Sequence, residues 1–355
     1  MKKKVFFIIS SLQGGGSERV FWLLSQGFNK ELYDVCVIIL DSSNGCFSTE
    51  ITGVKFIDLG TVKASRSFWK LYKLIKSEKP FAVFSTTDHI NMLVSFVSIF
   101  VKVPNLIARA SNNPHQMKQF EGLKARFWML FTRISYKNYD RIVCQTEEMR
   151  ESVLAEYDLN PNQLVVIPNP LIYTDLIKDK PSLNGQKKLL IIARMTKEKG
   201  LERLLNIFSQ LPETYTLTIA GDGLLKNKIF EQVKVLNLQP RVTFLGNINN
   251  VTTIISKHDV LLLGSFTEGF PNVVLESLSV GLPVVSFRVG GISDLVKDGF
   301  NGYVIEQGDL KNFKDKIITA CNKPWCFGAI KNDVYSNYAL DKVAVKYECL
   351  INNVT

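Results

Sequence analysis

The chain has 355 residues, of which 46% are apolar and 21% charged, with a formal net charge of +10. That length suits about two domains, and the ordinary apolar content excludes a disordered chain. Its apolar runs fall well short of the ~20 residues that a bilayer-spanning helix needs, so no membrane span is expected.

Met1 to Lys4 followed by Val5 to Ile9 mimics a signal peptide. The apolar stretch is short, however, and runs into Gly14-Gly15-Gly16 without a small-x-small cleavage site, so it reads as a buried first strand. Short apolar, β-branched runs follow at 35–40, 55–59, 81–85, 105–109 and 141–146, separated by segments of helical period. This alternation predicts parallel strands joined by right-handed helical crossovers, an α/β doubly wound sheet. A second series follows at 189–193, 216–220, 242–246, 260–264, 283–287 and 302–305. Ile167-Pro168-Asn169-Pro170 and the polar stretch 178–188 mark the connection between the two series. The expected organisation is a Rossmann-like domain over 1–170, a second over 171–336, and a C-terminal helix within 337–355 that packs back on the first. The carboxyl ends of both sets of strands are expected to face a central cleft, where ligands bind in such folds.

The six cysteines are scattered without zinc or redox spacing, and read as small core residues in a reducing cytosol. No metal site or cofactor is expected. Charge is uneven: residues 61–137 hold thirteen Lys and Arg against Glu78, Asp88 and Glu121, an excess equal to that of the whole chain. Within that region Ser67 to Lys76 and Phe120 to Tyr139 interleave aromatics with Lys and Arg, a pattern suited to the anionic surface of a membrane. Two amphipathic helices packed on their own sheet would give the same pattern.

The segment Leu263 to Ser277 places an apolar strand before a Gly-Pro loop and a helix, with Asn272 as the expected N-cap. The free N–H groups of Val273 and Val274, at the positive end of the helix dipole, would form a phosphate site. Glu276, one turn in, has the lone pairs to accept two hydroxyls of a ribose, and Glu268 would lie on the other side of the phosphate. Arg194 and Lys199 stand after another strand, where two cations suit a diphosphate. Gly15 and Gly16 let backbone approach an anion, but match neither the dinucleotide fingerprint nor the phosphate loop. Arg109, Asn112 and His115 follow the 105–109 strand and should face the same cleft, whereas His89 and His258 read as structural.

Glu268-Gly269-Phe270-Pro271-Asn272-Val273-Val274-Leu275-Glu276 resembles the E-x7-E signature of retaining glycosyltransferases of the GT-B fold, family GT4. Gly281-Leu282-Pro283-Val284-Val285, Gly290-Gly291-Ile292-Ser293-Asp294 and Gly14-Gly15-Gly16-Ser17-Glu18 extend the resemblance over nearly the whole chain, with Asp294 where many relatives have glutamate. The resemblance implies that Glu268 faces the donor sugar, with Arg194 and Lys199 on the leaving nucleoside diphosphate. Glu276 would hold the ribose, with Val273, Val274, Asn272, Phe270, Gly15 and Gly16 around the donor. Arg109, Asn112 and His115 would orient the acceptor or donor. It implies transfer of a hexose or N-acetylhexosamine from a UDP-sugar to a lipid-linked, polyprenyl-diphosphate saccharide in O-antigen or capsule synthesis. The enzyme would be metal-independent, cytoplasmic, and in peripheral contact with the inner face of the anionic membrane. The sequence has no Asp-x-Asp, the metal-diphosphate motif of the other large glycosyltransferase fold. Two alternatives stand beside this reading: a nucleotide-sugar hydrolase or epimerase on the same scaffold, and a basic nucleic-acid-binding protein. No recognised nucleic-acid fold accompanies the basic region, so no nucleic-acid partner is expected.

Overall fold

The computed structural model describes all residues other than 14, 44, 46, 112, 113, 115–129, 179–184, 249 and 353–355. The chain divides into two compact units, Met1–Ile172 with Tyr338–Thr355, and Tyr173–Asn337.

The first unit carries strands β1 (Lys3–Ser11), β2 (Tyr33–Asp41), β3 (Val54–Asp58), β4 (Ala82–Thr86), β5 (Asn105–Arg109), β6 (Arg141–Cys144) and β7 (Leu164–Val166). They form one sheet in the order β3-β2-β1-β4-β5-β6-β7, with every pairing parallel. A parallel sheet is covered on both faces, so a central strand can be apolar without interruption. In β1, Val5, Phe7 and Ile9 pack with Phe21 and Leu24 of the Gly16–Gly27 helix and with Phe28 at its C-cap. Phe6 and Ile8 point the other way, into a core with Leu71 and Ile75 of the Ala64–Glu78 helix and Ile90, Val94 and Val97 of the Asp88–Phe100 helix. Two helices close the chain, Phe327–Tyr338 and Leu340–Asn352, the second within the segment where a terminal helix was expected. The second of these buries Val343, Ala344 and Tyr347 in the β1 core. Its entry is pinned by two backbone bonds, Leu171 N–H to Tyr338 O at 2.8 Å and Leu340 N–H to Leu171 O at 2.9 Å.

The second unit holds β8 (Lys187–Ile192), β9 (Tyr215–Ala220), β10 (Val242–Gly246), β11 (Val260–Leu263), β12 (Val284–Phe287) and β13 (Gly302–Ile305), ordered β10-β9-β8-β11-β12-β13 and all parallel. Leu189, Ile191, Leu217, Ile219, Leu262 and Phe287 meet Leu204, Leu205 and Phe208 of the Leu201–Phe208 helix and Phe313 and Ile317 of the Leu310–Asn322 helix. Each sheet reverses its strand order once, between β1 and β4 and between β8 and β11. At such a reversal the connections from neighbouring strands diverge to opposite faces, which opens a crevice at their carboxyl ends.

All twelve strands expected from the apolar runs are present within a few residues; β7 is the addition. Among the described residues no helix is long and apolar enough to cross a membrane. Cys36 and Cys144 are buried as expected, but Cys326, before the Phe327–Tyr338 helix, and Cys349, on the Leu340–Asn352 helix, are exposed, so they are not core residues.

Candidate active site

Because β8 and β11 are neighbours, the segments following Ile192 and Leu263 leave the second sheet side by side. After β8 the chain makes a 3-10 turn at Lys197–Lys199, then enters the Leu201–Phe208 helix through Gly200, whose φ of 61° is left-handed. Only glycine fits there, since a Cβ would lie 2.0 Å from the Gly264 carbonyl oxygen. This close approach brings Lys199 to Glu268, with Nζ 2.7 Å from Oε1 and the two side chains only 17% and 13% exposed. The Ser265 hydroxyl donates to the same carboxylate oxygen at 2.6 Å. A backbone bond from Phe266 N–H to Glu198 O, 2.8 Å, ties the two loops again. Arg194 is exposed at the beginning of the first loop. Burial raises the Glu198 pKa, but a Thr196 hydroxyl bond, a backbone N–H and the Lys199 and Arg194 charges outweigh it and hold the carboxyl below its ordinary value.

The Asn272–Ser279 helix begins as the loop after β11 ends. Its capping position is Pro271, with no side-chain cap bond, which corrects the expected role of Asn272. The Val274 amide is not free either: it donates to Pro271 O at 3.0 Å, closing the first turn. Among the described residues no acceptor meets the Val273 amide, which keeps the one donor of the pair available to an anion. Phe270 and Glu276 are 8% and 7% exposed, so both line the interior of this loop-helix junction. Sequence reasoning missed Arg203, whose Nε and Nη2 donate to Gly264 O and Ser265 O at 2.8 and 2.6 Å. As one cation in an amphipathic helix it carries no local signal of that role.

In the first unit, polar groups gather at the carboxyl ends of β1, β4 and β5. Gly15 caps the Gly16–Gly27 helix without a side-chain bond, and the Ser10 hydroxyl donates to Glu18 at 2.6 Å. Thr87, after β4, has a φ of 69°, a conformation costly for a β-branched residue, and its N–H donates to the Ser111 hydroxyl at 3.0 Å. Arg109 was expected to meet the acceptor, but it is 3% exposed; its two terminal nitrogens are used internally, while the buried Nε meets no acceptor among the described residues. Nη2 reaches Asn169 Oδ1 at 2.6 Å, and Nη1 lies 3.3 and 3.4 Å from the hydroxyls of Thr86 and Ser17. Burial lowers its pKa, opposed by the nearby Tyr347 and Glu18. Arg109 thus links the glycine-rich helix start to the segment before Pro170. Asn112 and His115 lie outside the described residues. His258 is structural: its ring nitrogens sit 2.7 Å from Ile254 O and 2.9 Å from Thr218 Oγ1, and burial lowers its pKa. His89 is exposed.

Two family models match in tandem, Glycosyltransferase Family 4 over residues 14–172 and Glycosyl transferases group 1 over residues 174–341. The chain belongs to the GT4 family of GT-B glycosyltransferases. It is 29% identical over 316 residues, 85% of this chain and 84% of the relative, to GalNAc-alpha-(1->4)-GalNAc-alpha-(1->3)-diNAcBac-PP-undecaprenol alpha-1,4-N-acetyl-D-galactosaminyltransferase of Campylobacter jejuni. It is 25% identical over 324 residues, 83% and 82% of the two chains, to the Escherichia coli UDP-Gal:alpha-D-GlcNAc-diphosphoundecaprenol alpha-1,3-galactosyltransferase. Among solved structures, Anabaena HepE in complex with UDP and glucose superposes with a TM-score of 0.83 at 16% identity, over 99% of this chain and 100% of that one. The glycosyltransferase WaaG gives 0.75 at 18% identity, over 98% and 100%. These likenesses establish the GT-B fold of this glycosyltransferase. Among its described residues no group of three His, Cys, Asp or Glu side chains could hold a metal ion.

Proposed function

We propose that this GT4 glycosyltransferase moves a hexose or N-acetylhexosamine from a UDP-sugar, with retention, to a hydroxyl of a polyprenyl-diphosphate-linked saccharide in bacterial surface-polysaccharide assembly. The observation that carries this reading is the Lys199–Glu268 pair beside Arg194 at the β8–β11 reversal, next to the start of the Asn272–Ser279 helix. Cations and a helix start suit a departing diphosphate, and a carboxylate beside them suits the hydroxyls of its sugar. In this reading Arg194, Lys199 and the Val273 amide stabilise the leaving UDP without a metal ion, Glu276 binds the ribose and Glu268 the sugar. The bond from the anomeric carbon to the diphosphate oxygen breaks as the acceptor oxygen bonds on the same face. The acceptor proton passes to a phosphate oxygen of the departing UDP. The relatives' printed names support the donor and acceptor classes: one prints UDP-Gal, and both print diphosphoundecaprenol-type acceptors and alpha linkages.

The basic region of the first unit adds a membrane face to the proposal. The Ala64–Glu78 and Asp88–Phe100 helices pack through Phe68 and Phe100, with ring centroids 5.8 Å apart. They leave Trp69, Ile99 and Phe100 between 62% and 68% exposed, near Lys70, Lys73 and Lys76. Apolar rings flanked by lysines suit the interface of an anionic leaflet, and this supports the reading that the enzyme works at the inner face of the cytoplasmic membrane on a lipid-linked acceptor.

The test is incubation with a panel of UDP-sugars and a polyprenyl-diphosphate saccharide, with and without EDTA. UDP release that requires acceptor, survives the chelator and yields an α-linked product is expected. UDP release without acceptor would replace the proposal by a hydrolase, an altered donor sugar by an epimerase, and loss of turnover in EDTA would remove its metal independence.

A further inference from the structure

Arg203 occupies the first turn of the Leu201–Phe208 helix, whose Leu201, Leu204, Leu205, Ile207 and Phe208 are buried. Its guanidinium is sandwiched between two rings from elsewhere in the second unit, 3.8 Å from the Phe266 centroid and 3.9 Å from that of Phe287. The edges of the fork are engaged as well. Nε donates to Gly264 O at 2.8 Å, Nη2 to Ser265 O at 2.6 Å and Nη1 to Gln307 Oε1 at 2.7 Å. Gln307 in turn donates to Ser265 O at 3.2 Å and to Arg288 O at 2.8 Å. Among the described residues Arg203 makes no ion pair, and burial draws its pKa down to about 10.

A half-buried cation with no acid partner is an expensive way to hold a helix against a loop, since its desolvation is not offset by an opposite charge. What a guanidinium supplies and an apolar side chain does not is a planar fork that bonds two adjacent carbonyls while both faces stay stacked. Those two carbonyls belong to the turn by which β11 delivers Glu268. Ser265 is held at both ends, its carbonyl by Arg203 and Gln307 and its hydroxyl on Glu268 Oε1, so rotation of its peptide breaks both attachments together. We infer that Arg203 is a positioning residue for Glu268: it fixes the Gly264–Ser265 carbonyls and thereby sets where the carboxylate meets Lys199 and the donor sugar. This rests on the reading of Glu268 given above.

The experiment compares Arg203→Met, Glu268→Gln and the double variant in the UDP-release assay, with hydrogen exchange on each. Arg203→Met should lower kcat about ten- to a hundredfold while the KM for donor moves less than about threefold, because Glu276 and Val273 are untouched. In the Glu268→Gln background the same substitution should cost less than about twofold, since both act through one group. Arg203→Lys should not restore kcat, because an ammonium cannot bridge both carbonyls while stacked. Exchange at the 264–268 amides should quicken in Arg203→Met with the rest of the second unit unchanged. Wild-type kcat, additive losses in the double variant, a change confined to KM, or full activity in Arg203→Lys would each overturn the inference. Gln307→Ala keeps Arg203 and its stacking, and decides the matter if Arg203→Met does not fold: faster exchange at 264–268 is expected, and unchanged exchange overturns it. An inactive wild-type enzyme on every UDP-sugar would refute the proposed function, while the exchange readout would still judge the positioning role.

Discussion

The Lys199–Glu268 pair can be separated into its structural and its chemical share. Removing one partner of a fully buried ion pair costs about 3–5 kcal/mol, whereas an exposed pair contributes about 0–1 kcal/mol. At 17% and 13% exposure the pair lies nearer the first limit, but Ser265 would still donate to Glu268 after loss of the lysine. Lys199→Met should therefore destabilise the second unit by about 2 kcal/mol, a fall in Tm of roughly 4–8 °C at this domain size. If Lys199 also steadies the leaving diphosphate, kcat should fall by about 10²–10³, the usual loss for one donor on a developing charge. Adding Glu268→Gln to Lys199→Met removes the stranded carboxylate and should recover most of the Tm while leaving kcat low. Differential scanning fluorimetry and UDP release, run on the same three proteins, read the two effects. Recovery of kcat together with Tm in the double variant would refute the reasoning, because Lys199 would then be a link in the fold and not an electrophile.

Glu276→Ala should abolish UDP release and weaken UDP binding by about 10²-fold in calorimetry, as expected for a largely buried carboxylate that accepts two hydroxyls; full activity would remove the ribose assignment. His258 is held neutral by burial, with its pKa below the ordinary 6.5, so the unfolded chain binds more protons than the folded one as pH falls below about 6.5. The second unit should accordingly keep full stability above that pH and lose up to about 1.4 kcal/mol per unit below it, until the folded imidazole itself titrates. Urea titrations at pH 5 and 7.5 on wild type and His258→Gln check this, and an identical pH slope in the two would contradict it. Replacing Trp69 and Phe100 by Ser should weaken co-sedimentation with anionic vesicles roughly 30- to 1,000-fold, from two exposed rings that would each contribute about 1–2 kcal/mol in the interface. Unchanged sedimentation of that variant, or of one with Lys70, Lys73 and Lys76 replaced by Glu, would exclude this face.

The architecture was legible because parallel strands covered on both faces are continuous apolar runs. Val5 to Ile9, Val35 to Leu40 and Val260 to Leu263 need no partner to be recognised. β7 was not, since three residues ahead of Pro168 and Pro170 look the same as the approach to a linker. The site was legible where spacing along one segment carries it, as with Glu268, Glu276 and the loop between them. Hydrogen-bond geometry was less so. Asn272 is a favoured capping residue, yet Pro271 takes the cap, and the Val274 amide is consumed by that turn. Arg109 and Arg203 show why cations mislead. Arg109 closes β5 and Arg203 lies in the Leu201–Phe208 helix, and burial against Asn169 and Tyr347 in one case, and against Phe266 and Phe287 in the other, arises from residues at least 60 positions away.

Strand reversal brings the two loops of the second unit together, but proximity of backbones does not by itself fix side chains at chemical precision. Lys199 and Glu268 are 69 residues apart, and a shift of about 1 Å at either would be enough to lose a productive contact. Three attachments remove that freedom: the glycine contact between Gly200 and Gly264, the Phe266–Glu198 backbone bond, and the Arg203 fork on the Gly264 and Ser265 carbonyls. Preorganised charge stabilises a transition state because its dipoles need not reorient when the reaction occurs, and that property resides in the scaffold that holds the charges as much as in the charges themselves. In this glycosyltransferase the scaffold is concentrated in two short turns, so substitutions well behind Glu268 should alter the rate of transfer while sparing recognition of the nucleotide.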